Sequence, residues 1–276
     1  LKKELKVDHA FNYKKIENLV LYFKEICPDG FDFYFDNVGG DFLESVIYRM
    51  KNFGKIVICG RRGDFLKAKA DTIREETGND VLDIPCDVTK ADQCKKLVEE
   101  TMSKFKFIDV LVNNAATVTR RAKITELRPD EWKRAINVNL TGAFFLSRLV
   151  IPQMCNNGGG VILNIASQLG HVAVEGAAAY CTTKGGILQF TRALALDHAE
   201  DNIRVVALSP GAVETPRLTD IFGSPEAAEE KLGPAHPVGR LGRVSELADA
   251  ALFLVSDEAT FITGTDLIVD GGYTAK

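Results

Sequence analysis

Along the chain, short runs of β-branched and aromatic residues alternate with longer stretches in which apolar and charged positions recur at helical spacing. The short runs predict strands over 10–13, 31–37, 55–60, 81–85, 108–113, 160–165, 204–208 and 266–269. The central ones are continuously apolar, as strands covered on both faces are. The longer stretches predict helices over 65–76, 91–105, 131–155, 178–200 and 244–257. A further helix, running to about residue 53, is expected after a Gly39-Gly40 turn. Helix 178–200 is apolar on more than one side, so it should pack against the sheet and a second surface. This alternation predicts an α/β fold, a doubly wound parallel sheet in a three-layer sandwich. The least regular segment, 211–243, holds several prolines and glycines and reads as a lid or binding loop. Residues 1–30 read as an extra strand–helix extension and 31–276 as one domain.

Composition sharpens the picture a little. The chain has 276 residues, 46% apolar and 26% charged, enough for a sizeable core. A net charge of −4 without a basic block argues against nucleic acid as a main partner. No uninterrupted apolar run reaches the ~18 residues that span a bilayer. No basic start followed by an apolar core marks a secretory leader. The chain opens on Leu1 and reads as a fragment or a processed form. Six cysteines (Cys27, Cys59, Cys86, Cys94, Cys155, Cys181) stand at irregular spacings. They predict free thiols in a reducing, cytoplasmic setting. The histidines His9, His171, His198 and His236 are far apart in sequence, and no metal site is expected.

Ligands of a doubly wound sheet sit beyond the carboxyl ends of its strands. Four polar residues fall at such ends or just after them. Asn139 lies in Asn137-Val138-Asn139-Leu140-Thr141-Gly142, within the long helix. Ser167 directly follows strand 160–165, and Tyr180 and Lys184 stand four apart on one face of the next helix. A phenol titrates near 10, and a neighbouring ammonium favours its anion. Bringing it to about 7 takes roughly 4 kcal/mol of differential stabilisation. Tyr180 would then exchange a proton with a substrate oxygen while a hydride moves to or from carbon. Ser167 would hold the same oxygen, and Asn139 would hold Lys184 and a water chain for proton relay. Each residue also has an ordinary reading: a chance Tyr-x-x-x-Lys, a serine cap, an asparagine turn. Their joint order carries the weight.

These residues, with Cys86-Asp87-Val88-Thr89, Asn113-Asn114-Ala115-Ala116, Ile165-Ala166-Ser167, Tyr180-Cys181-Thr182-Thr183-Lys184, Ser209-Pro210-Gly211 and Asp270-Gly271-Gly272, closely resemble the short-chain dehydrogenase/reductase family. The resemblance runs from about residue 55 to the end and implies a Rossmann-like dehydrogenase domain. It implies Asp87 at the adenine edge of a nicotinamide cofactor, with Val88 beside it. Asn113, Ala115 and Ala116 would line a ribose, and a strand end packed for stability is their ordinary reading. Tyr180 and Lys184 would also bond the nicotinamide ribose. Pro210 and Gly211 would pass the nicotinamide face, and Val213 and Thr215 would bond its carboxamide and the pyrophosphate. Strand 55–60 ends in Gly60-Arg61-Arg62, with no acidic residue to grip a ribose 2′-hydroxyl. Two guanidinium groups suit a 2′-phosphate, so NADP(H) is expected over NAD(H); a solvated basic turn is the ordinary reading.

The first 60 residues depart from that pattern. The family opens with a Thr-Gly-x-x-x-Gly-x-Gly turn whose helix points at the pyrophosphate. Here stands Phe35-Asp36-Asn37-Val38-Gly39-Gly40-Asp41. Together with Ala10-Phe11-Asn12-Tyr13, Pro28-Asp29-Gly30 and Lys55-Ile56-Val57-Ile58-Cys59-Gly60, it looks like a fragment of a medium-chain reductase of the prostaglandin/leukotriene type. A joint between the two families is therefore expected near 56–62. Gly39 and Gly40 would supply the remaining phosphate turn, and Asp36 and Asp41 would add unfavourable negative charge. The sheet should still close around 31–35 as its central strand. The reading is an oxidoreductase that moves a hydride between NADP(H) and a small-molecule carbonyl or secondary alcohol. The alternative is a catalytically impaired dehydrogenase-like binding or scaffold protein, because the glycine-rich loop is replaced. Helices 131–155 and 178–200 predict the seam of a homodimer or homotetramer. His171 and Glu175 are candidates to flank the substrate, or else surface-loop residues.

Overall fold

The computed structural model describes residues 31–36 and 50–276. The strand expected at 10–13, the 1–30 extension and the Gly39-Gly40 turn lie outside the described residues.

Among the described residues the strands are β1 (Phe31–Asp36), β2 (Met50–Gly60), β3 (Asp80–Pro85), β4 (Val110–Asn113), β5 (Gly160–Ile165), β6 (Ile203–Pro210) and β7 (Asp266–Val269). They form one sheet in the order β3-β2-β1-β4-β5-β6-β7. Every pairing is parallel. The helices are α1 (Gly63–Thr77), α2 (Ala91–Phe105), α3 (Pro129–Ile136), α4 (Gly142–Asn156), α5 (Ala178–Asp197), α6 (Pro216–Phe222), α7 (Pro225–Leu232) and α8 (Val244–Val255). The doubly wound sandwich expected from the sequence is what forms, with β1 an interior strand between β2 and β4, and β4 rather than β1 in the middle position.

Alternation along the strands explains the layers. In β2, Ile56 and Ile58 join a core with Leu66 and Ile73 of α1 and Leu247 and Leu254 of α8. The intervening Val57 and Cys59 join the opposite core with Leu97 of α2 and Leu146 and Val150 of α4. Each such side chain taken fully from water contributes roughly 1.5–3 kcal/mol. Cys59, Cys86 and Cys94 are buried thiols of that second core, joined by no disulfide, and pack as small hydrophobes.

Three local expectations are corrected. Met50–Phe53, placed in a helix by its sequence pattern, is the first part of β2, with Met50 registered against Phe31; parallel pairing in the sheet overrides local preference. The single helix expected over 131–155 is two, α3 and α4, joined by one π-helical turn at Asn137–Thr141. The combined stretch Pro129–Asn156 is long and apolar enough to cross a membrane by length and composition, but Leu146, Val150 and Met154 of it are fully buried in the sheet–helix core. Finally, the segment 211–243 is not irregular throughout. Proline at the first helical position starts both α6 and α7, and the Ser224 hydroxyl caps α7 by accepting from the Ala227 amide.

Candidate active site

The strand order reverses between β1 and β4, so a crevice opens at the carboxyl ends of the central strands. Ser167 stands just past β5. Its extended backbone starts a short 3-10 turn, Gln168–Gly170, and its Oγ accepts from the Leu169 amide at 3.1 Å. The turn delivers the chain toward α5, whose first two turns carry Tyr180 and Lys184. The Ser167 hydroxyl lies beside the Tyr180 phenol and favours its anion. Lys184, only 3% exposed, donates from Nζ to the Ile165 carbonyl at 2.6 Å, and that nitrogen lies 5.8 Å from the centre of the Tyr180 ring. Phenol, hydroxyl and ammonium thus share one corner of the sheet.

The titration of the corner differs from the sequence expectation. Burial raises the Tyr180 phenol above its ordinary value, against the lowering by the neighbouring Ser167 hydroxyl and the charge of Arg217. Burial also pulls the Lys184 ammonium down to about 8, and Arg217 adds to that. The ammonium is spent on a backbone carbonyl and does not turn the phenol into a base in the protein by itself.

Asn139 sits inside the π-helical turn and is buried. Such turns interrupt the regular ladder and often mark functional positions. Its Oδ1 accepts from the Thr117 amide at 2.7 Å, and its Nδ2 donates to the Thr117 carbonyl at 2.9 Å and to Thr183 Oγ1 at 3.0 Å. It therefore grips the turn of α5 that carries Lys184 by way of the neighbouring Thr183. The contact expected directly to Lys184 is replaced by this one. Thr117 and Thr183 escaped the sequence reading because a threonine beside a motif carries no distinguishing signal.

At the other end of the crevice, the Asp87 carboxylate accepts from the Thr89 amide at 3.0 Å and the Thr89 hydroxyl at 2.8 Å. Although burial works to raise it, these bonds and the Arg61 charge hold it below the usual carboxylate range. Arg61 is exposed, whereas Arg62 lies over the Phe65 ring at 4.4 Å. Val88 is buried against Gly142, where an added Cβ would come within 2.8 Å of it. Asn113 turns away from the crevice: its Nδ2 donates to Asn164 Oδ1 at 2.9 Å and to Ser147 Oγ at 3.3 Å. Its side chain holds sheet to helices, the packing role. Ala115 packs against the same layer.

Beyond β6, Pro210 is half-buried and the Gly211 amide donates to Val269. A Cβ at Gly211 would meet the Asp270 Cα at 2.9 Å and Gln168 Oε1 and His236 Nε2 at 3.0 Å, so only glycine passes here. His236, buried and missed from the sequence, donates from Nδ1 to Leu232 O and accepts at Nε2 from the Ala212 amide. Val213 bridges Gly242, and Thr215 precedes α6. His171 is tied to Asp266 at 2.5 Å, at the sheet, and Glu175 is exposed with its carbonyl accepting from Arg121.

Comparisons with known proteins agree with this geometry. A family model described as Enoyl-(Acyl carrier protein) reductase matches residues 48–274. The 3-oxoacyl-acyl-carrier-protein reductase FabG of Thermotoga maritima is 37% identical over 213 residues, 76% of this chain and 85% of that protein. The cyclopentanol dehydrogenase of a Comamonas species is 40% identical over 190 residues, covering 69% and 75%. The crystal structure of L-sorbose reductase from Gluconobacter frateurii, complexed with NADPH and L-sorbose, superposes with a TM-score of 0.83 at 27% identity, covering 90% of this chain and 99% of that one. With its central parallel sheet and its serine, tyrosine and lysine gathered at one strand end, the chain belongs to the short-chain dehydrogenase/reductase family and is an oxidoreductase.

Proposed function

We propose that the enzyme transfers a hydride between NADP(H) and a small-molecule carbonyl or secondary alcohol, with Tyr180 as general acid/base. The observation that carries this reading is the gathering of Ser167 and Lys184 about the Tyr180 phenol, with the Lys184 ammonium 5.8 Å from the centre of its ring. The residues around the crevice fit a nicotinamide cofactor. Gly211 lets the chain turn closely past Asp270, Gln168 and His236 at the end of β6, and Asp87 with Arg61 beside it suits an adenosine end. Arg61 and Arg62 would face a 2′-phosphate, Asp87, Val88 and Ala115 the adenosine half, with Asn113 bracing the sheet behind it, and Pro210, Gly211, Val213 and Thr215 the nicotinamide half. When bound, the nicotinamide supplies or accepts the hydride.

The chain's own residues handle the proton and the geometry. Burial keeps the Tyr180 phenol protonated at neutral pH, so it is set to give its proton to a carbonyl oxygen. Ser167 donates a second hydrogen bond to that oxygen. Lys184, still charged below about 8, offsets the negative charge left on the phenol. Asn139 is a positioning residue, fixing the Thr183–Lys184 turn from the π-helical turn. Residues 1–60 are read as the medium-chain fragment that their motifs resemble. Residues 1–30 would be its extension and 31–276 the catalytic domain of a cytoplasmic enzyme. A shallow apolar groove of about 400 Å³, lined by Leu140, Phe144, Phe190 and Ala193, supports a homodimer or homotetramer across α4 and α5.

Calorimetric titration with NADPH and NADH, with and without Tyr180→Phe, tests this. Micromolar NADPH binding, weaker NADH binding and a binding-competent but inactive Tyr180→Phe are expected. Full turnover by Tyr180→Phe would overturn the mechanism. NADPH binding no tighter than millimolar would restore the scaffold alternative.

A further inference from the structure

We propose that the end of the sheet opposite the active site holds a Zn²⁺ site made by Cys155, His198 and Asp201. The strands are parallel, so chemistry gathers at their carboxyl ends. This trio lies at the amino ends of β5 and β6. Cys155 is in the last turn of α4, His198 ends α5, and Asp201 lies in the turn that leads into β6. Cys155 Sγ, a nitrogen of His198 and a carboxylate oxygen of Asp201 all lie within 4.8 Å of one another. Among the described residues no other histidine, cysteine or carboxylate trio converges in this way.

The two loops that present them are fastened together. The Asp201 and Ile203 amides both donate to the His198 carbonyl at 3.2 Å. Asn202, at φ 57°, donates from Nδ2 to Gly158 O at 2.9 Å and accepts from the Gly160 amide at 3.2 Å. Gly159, at φ 137°, approaches so closely that a Cβ would sit 2.4 Å from the Asn202 carbonyl. Loop backbone held this way fixes where the three side chains start, which lowers the ordering cost of binding.

Their present bonding already has the shape of a cation site. Asp201 Oδ2 is 2.8 Å from His198 Nδ1, and Cys155 Sγ lies within 4.8 Å of both groups. Carboxylate, imidazole and thiol thus converge where an ion would stand. His198 and Asp201 side chains keep 25% and 41% of their surface, which gives an ion a way in. Small side-chain rotations bring the three donors to Zn–S of about 2.3 Å and Zn–N or Zn–O of about 2.0–2.2 Å. A thiolate and an imidazole select Zn²⁺ over Ca²⁺ and Mg²⁺, which take oxygen ligands. The fourth position goes to water, and uptake releases the thiol proton. Bound zinc would pin the end of α4 to the α5–β6 turn without touching the Ser167–Tyr180–Lys184 corner.

The test titrates the full chain, stripped of metal, with Zn²⁺ against a chromophoric chelator, and in parallel with Co²⁺ by absorption. One equivalent at micromolar affinity or tighter is expected, with a near-ultraviolet thiolate–Co²⁺ band and visible bands of tetrahedral cobalt. Cys155→Ser abolishes the thiolate band and weakens Zn²⁺ by at least about a hundredfold, and Asp201→Asn by about tenfold. Both variants keep wild-type turnover and far-ultraviolet dichroism. Should Cys155→Ser fail to fold, the wild-type cobalt spectrum and Asp201→Asn decide. Binding weaker than about a hundred micromolar, or a thiolate band that survives Cys155→Ser, overturns the site.

Discussion

Two buried polar networks hang from the same helix, α5, and they do opposite things. One joins Asn113, Asn164, Ser147 and Thr191 between the sheet and α4 and α5. The other joins Ser167, Tyr180, Thr183, Lys184 and Asn139 one to three turns earlier on that helix. The first contains only amides and hydroxyls, and its bonds run between neutral groups. The second contains a phenol pushed up and an ammonium pushed down, both by burial. Neutral networks fix a unique packing, whereas charge held out of water at a crevice is poised for proton transfer. Burial alone does not separate structure from function here; the displaced protons do.

That contrast can be broken at several points. The largest effect belongs to Tyr180→Phe, which should lower kcat by about 10³-fold while leaving Tm and cofactor binding nearly unchanged, as steady-state kinetics beside calorimetry would report. In the neutral network, Asn164→Leu strips partners from Asn113 and Thr191 at a fully buried position. Chemical denaturation should show a loss of about 2–4 kcal/mol, with kcat of the folded fraction preserved. If instead kcat collapses while stability holds, the two networks are not distinct.

Lys184→Met should do the reverse of Asn164→Leu, abolishing turnover yet stabilising the protein alone by about 1–2 kcal/mol at pH 7, since a buried ammonium is replaced by an apolar chain of similar shape. The sign follows from Lys184 titrating at about 8 when folded against 10.5 as its ordinary value. The folded chain gives up this proton first, so the cost is full below about 8 and fades as pH rises toward 10.5. Thermal melts from pH 7 to 10 should therefore show the advantage of Lys184→Met shrinking with pH. The smallest effect is at the far end of the crevice, where Arg61→Ala with Arg62→Ala should weaken NADPH by about five- to tenfold, or ~1.0–1.4 kcal/mol, and leave NADH unaffected. Equal losses for both cofactors would count against a 2′-phosphate contact.

The order of strands and helices was legible from the sequence, because hydrophobic period reports which faces are covered. Ser167, Tyr180 and Lys184 were legible too: their spacing alone puts two side chains on one helical face just after a strand. Met50–Phe53 was misread, because a partner strand at Phe31, not local preference, decides its conformation. Only the tertiary structure could show that burial raises the Tyr180 phenol, since desolvation depends on everything packed around it. It alone turned Asn113 into a sheet–helix tie and joined Asn139 to Thr117 and Thr183. It alone brought Cys155 to His198 and Asp201, from loops far apart along the chain. Periodicity and spacing travel along a helix or strand, but hydrogen-bond partners and dielectric surroundings are set by residues distant in sequence that folding makes neighbours.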